Sequence, residues 1–108
     1  MIETQIRDDY TVCLRPLSDL DWVNGVSLRH AVQDMLQPGQ RVLIDLRYVN
    51  NIDAAGMKTL VGSIRRVLAV GGEIELSNPR LSVRHLLTHA GIYSMLLSPS
   101  RRGGGSAA

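Results

Sequence analysis

A short apolar run followed within a dozen residues by a long amphipathic helical pattern constrains this chain more than any other feature. Residues 41–70 read RVLIDLRYVNNIDAAGMKTLVGSIRRVLAV. Val42, Leu43, Ile44 and Leu46, enclosed by Arg41 and Arg47, form a branched apolar run too short for a helix. Such a run fits a strand buried on both faces. After the polar turn at 48–51, Met57, Leu60, Val61, Ile64, Val67 and Leu68 recur at offsets of three and four, the apolar stripe of an amphipathic helix. Asp53 stands where a helix cap belongs, its carboxylate able to accept from the free N–H groups of the first turn. Gly71 and Gly72 end the pattern, because glycine tolerates the left-handed conformation found just past helix ends. The exposed start of this helix is where function is expected.

The flanking segments extend the same alternation. Residues 1–9 are polar apart from Ile2 and Ile6 and suit an edge strand, and 10–17 alternate as a second strand, with Pro16 at its edge or end. Asp19, Asp21 and Asn24 supply turn or cap residues. A helix over 22–36 follows, with Leu28, Ala31, Val32, Met35 and Leu36 as its apolar face and Pro38-Gly39 as its stop. Beyond Gly72 come a short strand at 73–77, a turn at Asn78-Pro79, a helix over 80–90 closed by Gly91, and a last short strand at 92–97. The segment PSRRGGGSAA is too poor in apolar residues to pack, which leaves a domain over 1–98 and an expected disordered, linker-like tail over 99–108. Helices between strands imply right-handed crossovers and parallel pairing, whereas the tight turn between the first two strands implies antiparallel pairing. The expected fold is α/β: a small mixed sheet of four or five strands with a mostly parallel core, packed against three or four helices.

Composition narrows the function. At 108 residues, 44% apolar and 20% charged, the chain is expected to be one soluble globular domain. Phe is absent and there is a single Trp, so the core rests on aliphatic residues. A net charge of +2, with one aromatic in the basic region after Glu75, does not make a nucleic-acid footprint. The lone Cys13 rules out an internal disulfide and reads as a buried, inert thiol. No stretch approaches the ~20 apolar residues of a membrane span, and the N-terminus lacks a signal pattern, so a cytoplasmic location is expected. His85 and His89 lie four apart on one helix face but lack a third ligand, and His89 more simply meets the negative helix end. With no phosphate-binding glycine motif and no Ser-His-acid spacing, neither cofactor, metal nor catalysis is expected.

The run VLIDLRYVNNIDAAGMKTLV resembles the signature of STAS domains, particularly the bacterial anti-sigma factor antagonists. Asp45, Leu46, Ile52, Asp53, Gly56, Met57 and Leu60 fall in register, and a weaker likeness extends over about 10–97. The resemblance implies a protein that docks on an ATP-binding anti-sigma factor of the histidine-kinase-like type and frees the bound sigma factor. In that family the switch residue is a Ser or Thr two positions after the signature Asp, phosphorylated by the kinase partner. Here that position is Ala55, beside Ala54, and neither carries a hydroxyl. A phosphate there would add roughly −1.5 to −2 charges, so Ala55 fixes the uncharged state, whether by natural divergence or by a Ser→Ala change.

The partner-binding candidates are Asp53, Ala54, Ala55, Gly56, Met57 and Lys58 at the helix start. Asp21, Trp22 and Asn24 join them, since their loop resembles the Leu-Asp loop beside the family's switch. Small Ala54 and Ala55 permit close approach, Met57 adapts its shape to a partner, and Trp22 is a typical interface anchor. The plainer alternative is a well-capped helix, with Trp22 folded down as a lid on the core. Other possibilities within the resemblance are a stressosome-like scaffold, the cytoplasmic subunit of a lipid transporter, or an inert pseudo-switch. From a different class stands a small nucleotide-binding protein. The chain is expected to be a monomer or weak dimer.

Overall fold

The computed structural model describes residues 1–8 and 10–92. Its elements run β1 (Ile2–Ile6), β2 (Thr11–Pro16), α1 (Trp22–Met35), β3 (Arg41–Asp45), α2 (Ala54–Ala69), β4 (Glu73–Ser77) and α3 (Leu81–His89). The four strands form one sheet in chain order. β1 pairs antiparallel with β2, from Ile2 opposite Pro16 to Ile6 opposite Val12, across a turn in which the N–H groups of Arg7 and Asp8 both donate to the Thr11 carbonyl. β2, β3 and β4 are mutually parallel, with α1 and α2 supplying the crossovers that parallel neighbours require. This is the small mixed sheet with a parallel core that the alternation of elements implies. Of the last expected strand, 92–97, only Ile92 is described, and the expected tail lies outside the described residues.

The helices place their apolar stripes on one side of the sheet. Val12, Leu14, Val42, Ile44, Ile74 and Leu76 point from the strands into a core completed by Leu28 and Val32 of α1, Leu60, Ile64 and Val67 of α2, and Val83 and Leu87 of α3. The opposite face mixes polar and apolar side chains, and among the described residues no helix lies over it. There Leu43 pairs with Cys13 on one side and Glu75 on the other, and it is only half-buried. The expectation of a strand buried on both faces is therefore corrected. A continuous apolar run reports one fully buried face, and among the described residues the second face is shielded by neighbouring side chains. Cys13 on that face is a buried free thiol.

Two residues on the core side of α2 break the apolar pattern. Thr59 and Ser63 are buried, and each hydroxyl donates back to a carbonyl of its own helix, Thr59 to Gly56 at 2.9 Å and Ser63 to Thr59 at 2.9 Å. Such back-bonding satisfies a polar group without a tertiary partner. Leu68, by contrast, sits at the margin of the stripe and is 46% exposed. Gly71, with φ of 74°, makes the left-handed exit expected after α2.

Candidate functional site

Parallel strands release their chains at the same edge of the sheet, so the loop after β2 and the loop after β3 emerge side by side. They are laced together there. Leu20 and Ile52, both buried, form an isolated parallel bridge. The Leu20 N–H donates to the Asn51 carbonyl at 3.1 Å, and the Asp53 N–H donates to the Leu20 carbonyl at 3.1 Å. The Asp19 carboxylate adds two bonds from above, accepting from the backbone N–H groups of Asn50 at 2.8 Å and Asn51 at 3.1 Å. Two helices then start from this clasp. Asp21 caps α1 by accepting from the Asn24 N–H at 2.9 Å, and Asp53 caps α2 by accepting from the Gly56 N–H at 2.8 Å. Each carboxylate satisfies a donor that the first turn leaves orphaned.

Two glycines let these starts nest. A Cβ on Gly56 would fall 2.1 Å from the Leu20 carbonyl oxygen, and one on Gly25 would fall 2.1 Å from Thr59 Oγ1. The obstacle at Gly56 is backbone and at Gly25 the Thr59 side chain, so the missing Cβ atoms let the two helix starts lie close to each other and to the clasp.

The structure gathers most of the expected site residues onto one surface. Trp22, Ala54, Ala55, Met57 and Lys58 line an open groove of about 1060 Å³ between α1 and α2. Ala54 and Lys58 are exposed, Ala55 and Met57 half-exposed. Trp22 is 64% exposed, so it stands at the groove mouth and is not a lid on the core. Asp21 and Asp53 are exposed at the rim, committed to their caps. Gly56 is buried beneath, where it sets the approach of α2 to Leu20. Asn24 is buried as well: its amide donates to Ser18 Oγ at 2.7 Å and to the Asp19 carbonyl at 2.8 Å, and its side-chain oxygen accepts from the Met1 nitrogen. It positions the first loop and presents nothing outward.

Sequence reasoning missed the far half of the groove. Val61, Gly62 and Arg65 of α2, faced by Arg29 of α1, continue it along the helices. Their signal was available in the spacing, because positions 58, 61, 62 and 65 share one helix face.

Asp45, at the end of β3, fastens the base of the site. Its side chain is only 4% exposed, and its carboxylate accepts from Arg15 Nε at 3.1 Å, Arg47 Nε at 3.0 Å, the Arg47 N–H at 3.1 Å and Asn78 Nδ2 at 3.2 Å. Burial alone would raise this carboxyl. The Arg47 N–H, the Asn78 amide and the Arg47 guanidinium outweigh it and hold the group below its ordinary value. α3 is tied to the same loop, with Arg80 Nε donating to the Arg47 carbonyl at 3.1 Å and Ser82 Oγ to the Asn50 carbonyl at 3.2 Å. On α3 itself, a His89 ring nitrogen lies 2.9 Å from the His85 carbonyl oxygen, and no group of ligating side chains suited to a metal occurs among the described residues.

The family model of the STAS domain matches residues 1–102. The chain belongs to the STAS domain family. Its fold is that of the anti-sigma factor antagonist SpoIIAA in its unphosphorylated form, with a TM-score of 0.77 at 19% identity over 90% of this chain and 86% of that one. A candidate anti-sigma factor antagonist from Thermotoga maritima matches with a TM-score of 0.73 at 20% identity, over 87% and 81% of the two chains. A sulfate transporter family protein from Wolinella succinogenes shares the fold too, with a TM-score of 0.75 at 16% identity over 86% of this STAS domain and 76% of that chain. No curated protein matches the sequence significantly. Among the described residues of this STAS domain, no helix is long and apolar enough to cross a membrane. Position 55, in the first turn of α2, carries a methyl group, half-exposed in the groove wall.

Proposed function

We propose that this STAS domain is a cytoplasmic anti-sigma factor antagonist that docks, through the groove at the starts of α1 and α2, on an ATP-binding anti-sigma factor of the histidine-kinase-like type. Docking displaces the sigma factor held by that partner. The observation that carries this reading is the convergence of Trp22, Ala54, Ala55, Met57 and Lys58 on one open groove. What supports it is that candidates from two separate helices, Trp22 of α1 and four residues at the start of α2, line the same groove. Ala55 removes the hydroxyl through which a kinase partner would break the contact, so the domain remains competent to dock whatever the supply of ATP. Its output is then set by its abundance or by another input.

The test is a titration against the cognate anti-sigma factor with and without ATP. ATP is expected to leave the complex intact and the mass of this chain unchanged. Ala55→Glu places a carboxylate where a methyl group lines the groove, and it is expected to weaken docking by at least about tenfold, or ~1.4 kcal/mol. Equal affinity of the two proteins would take position 55 out of the interface and sink the reading.

A second reading draws on the shared fold with the sulfate transporter family protein: a regulatory STAS module of a membrane transport system, using the same groove on a transporter subunit. Recovery of such a subunit instead of a kinase-like ATPase as the stoichiometric partner would decide for it.

A further inference from the structure

Gly62 is a glycine without an internal reason. It lies in the middle of α2, in ordinary helical conformation, where glycine is the poorest helix former after proline. Gly25 and Gly56 are explained by the atoms of Thr59 and Leu20 that a Cβ would strike. At Gly62 a Cβ would meet nothing within 4 Å. The residue is exposed and lines the far half of the groove. Among the described residues, therefore, nothing makes use of its missing side chain.

The charges around it give the chemistry of that visitor. Arg29 from α1 and Lys58 and Arg65 from α2 border the groove, and none of the three has a hydrogen bond or ion pair among the described residues. Among the described residues no acidic side chain lines the groove, and the carboxylates at the two helix starts, Asp21 and Asp53, are committed to the caps. Between the cations the surface is apolar, formed by Trp22, Met57 and Val61. An apolar trough with an unpaired cationic border, open along a helix and lined on one side by a glycine that adds no side chain, complements a helix with an apolar ridge and carboxylates on its flanks.

We infer that the partner lays an acidic amphipathic helix along α2, its backbone closest at Gly62 and its carboxylates facing Arg29, Lys58 and Arg65. This rests on the docking reading above and extends the contact two turns beyond position 55. It makes recognition dependent on ionic strength, since exposed charge pairs are screened by salt.

The test uses two helical peptides sharing one leucine ridge, flanked in one by glutamates and in the other by lysines, titrated into the labelled protein by NMR. The glutamate peptide is expected to shift the amides of Lys58, Gly62 and Arg65 and to bind more weakly as salt rises, while the lysine peptide does not bind. Gly62→Ala is expected to raise the unfolding midpoint and yet weaken the glutamate peptide by at least about tenfold. Arg65→Glu is expected to weaken it without altering the fold. Equal binding of both peptides, binding of neither, or an unchanged affinity of Gly62→Ala would overturn the inference. A parallel titration with the anti-sigma factor separates the two ideas. Loss of binding in Ala55→Glu but not in Gly62→Ala or Arg65→Glu keeps the docking reading and removes the acidic helix. Binding of the glutamate peptide with no binding of the anti-sigma factor does the reverse.

Discussion

Replacing Gly56 by alanine is expected to lower the thermal unfolding midpoint by about 10–20 °C, as read by circular dichroism. Alanine is the better helix former, so helix propensity alone predicts the opposite sign. The sign is set by contact. The new Cβ would lie 2.1 Å from the Leu20 carbonyl oxygen and 2.5 Å from the Leu20 carbonyl carbon. Both are backbone atoms fixed by the bridge to Ile52 and by the Asp53 N–H, so no side chain can swing aside. Either α2 retreats from the sheet edge or the clasp opens, and overpacking of that kind costs about 3 kcal/mol at its upper end. Single domains are held by only about 5–15 kcal/mol, so the loss is a large share of the total. The identical change six residues along the same helix, at Gly62, is expected to stabilise the fold. An unaltered midpoint in Gly56→Ala would mean that the helix start slides freely over Leu20.

Asp45→Ala should be the second large loss, about 2–3 kcal/mol at neutral pH in urea unfolding. Removing one partner of a fully buried ion pair costs roughly 3–5 kcal/mol, and the figure is reduced here because the Arg47 side chain is 48% exposed and can regain water. Arg15, at 25% exposure, is the group left worse off. The folded carboxyl titrates below its ordinary value of 3.8, so between the two values the unfolded chain binds the proton more readily. Stability from Asp45 is therefore fully present above the unfolded value and disappears as pH falls through the folded one. The parent protein should lose this increment below about pH 4, whereas Asp45→Ala, lacking the group, should show a shallower decline there. Parallel pH profiles would contradict the assignment.

Much of this architecture could be read from the residues. The helix of 54–69 declared itself through spacing and its Asp53 cap, and the mix of antiparallel and parallel pairing followed from which connections were long enough to cross the sheet. What escaped was long-range or two-sided. The run Val42 to Ile44 looks the same whether its second face lies under helices or, as among the described residues, beside Cys13 and Glu75, because composition along one strand says nothing about the layer above it. Asp19 gave no hint that it would hold Asn50 and Asn51, since a hydrogen bond between segments some thirty residues apart leaves no period in the sequence. Asn24 and Trp22, two apart, looked equally available. Helical geometry turned one inward to Ser18 and the other outward to solvent. The basic border of the groove was overlooked for a related reason: Arg29 and Arg65 lie far apart in the chain, and only the crossing of α1 with α2 makes them neighbours.

The lacing of Leu20 to Ile52 has a consequence for how such a domain is recognised. Because that bridge and its two backbone hydrogen bonds tie the helix starts together, the backbone spacing between positions 22 and 55 is set before any encounter. The ordering demanded by complex formation then falls on the incoming molecule, and affinity can be tuned by drift in that molecule while this one stays unchanged. In the docking proposed above, this chain is the ruler and the incoming molecule is the part that is measured.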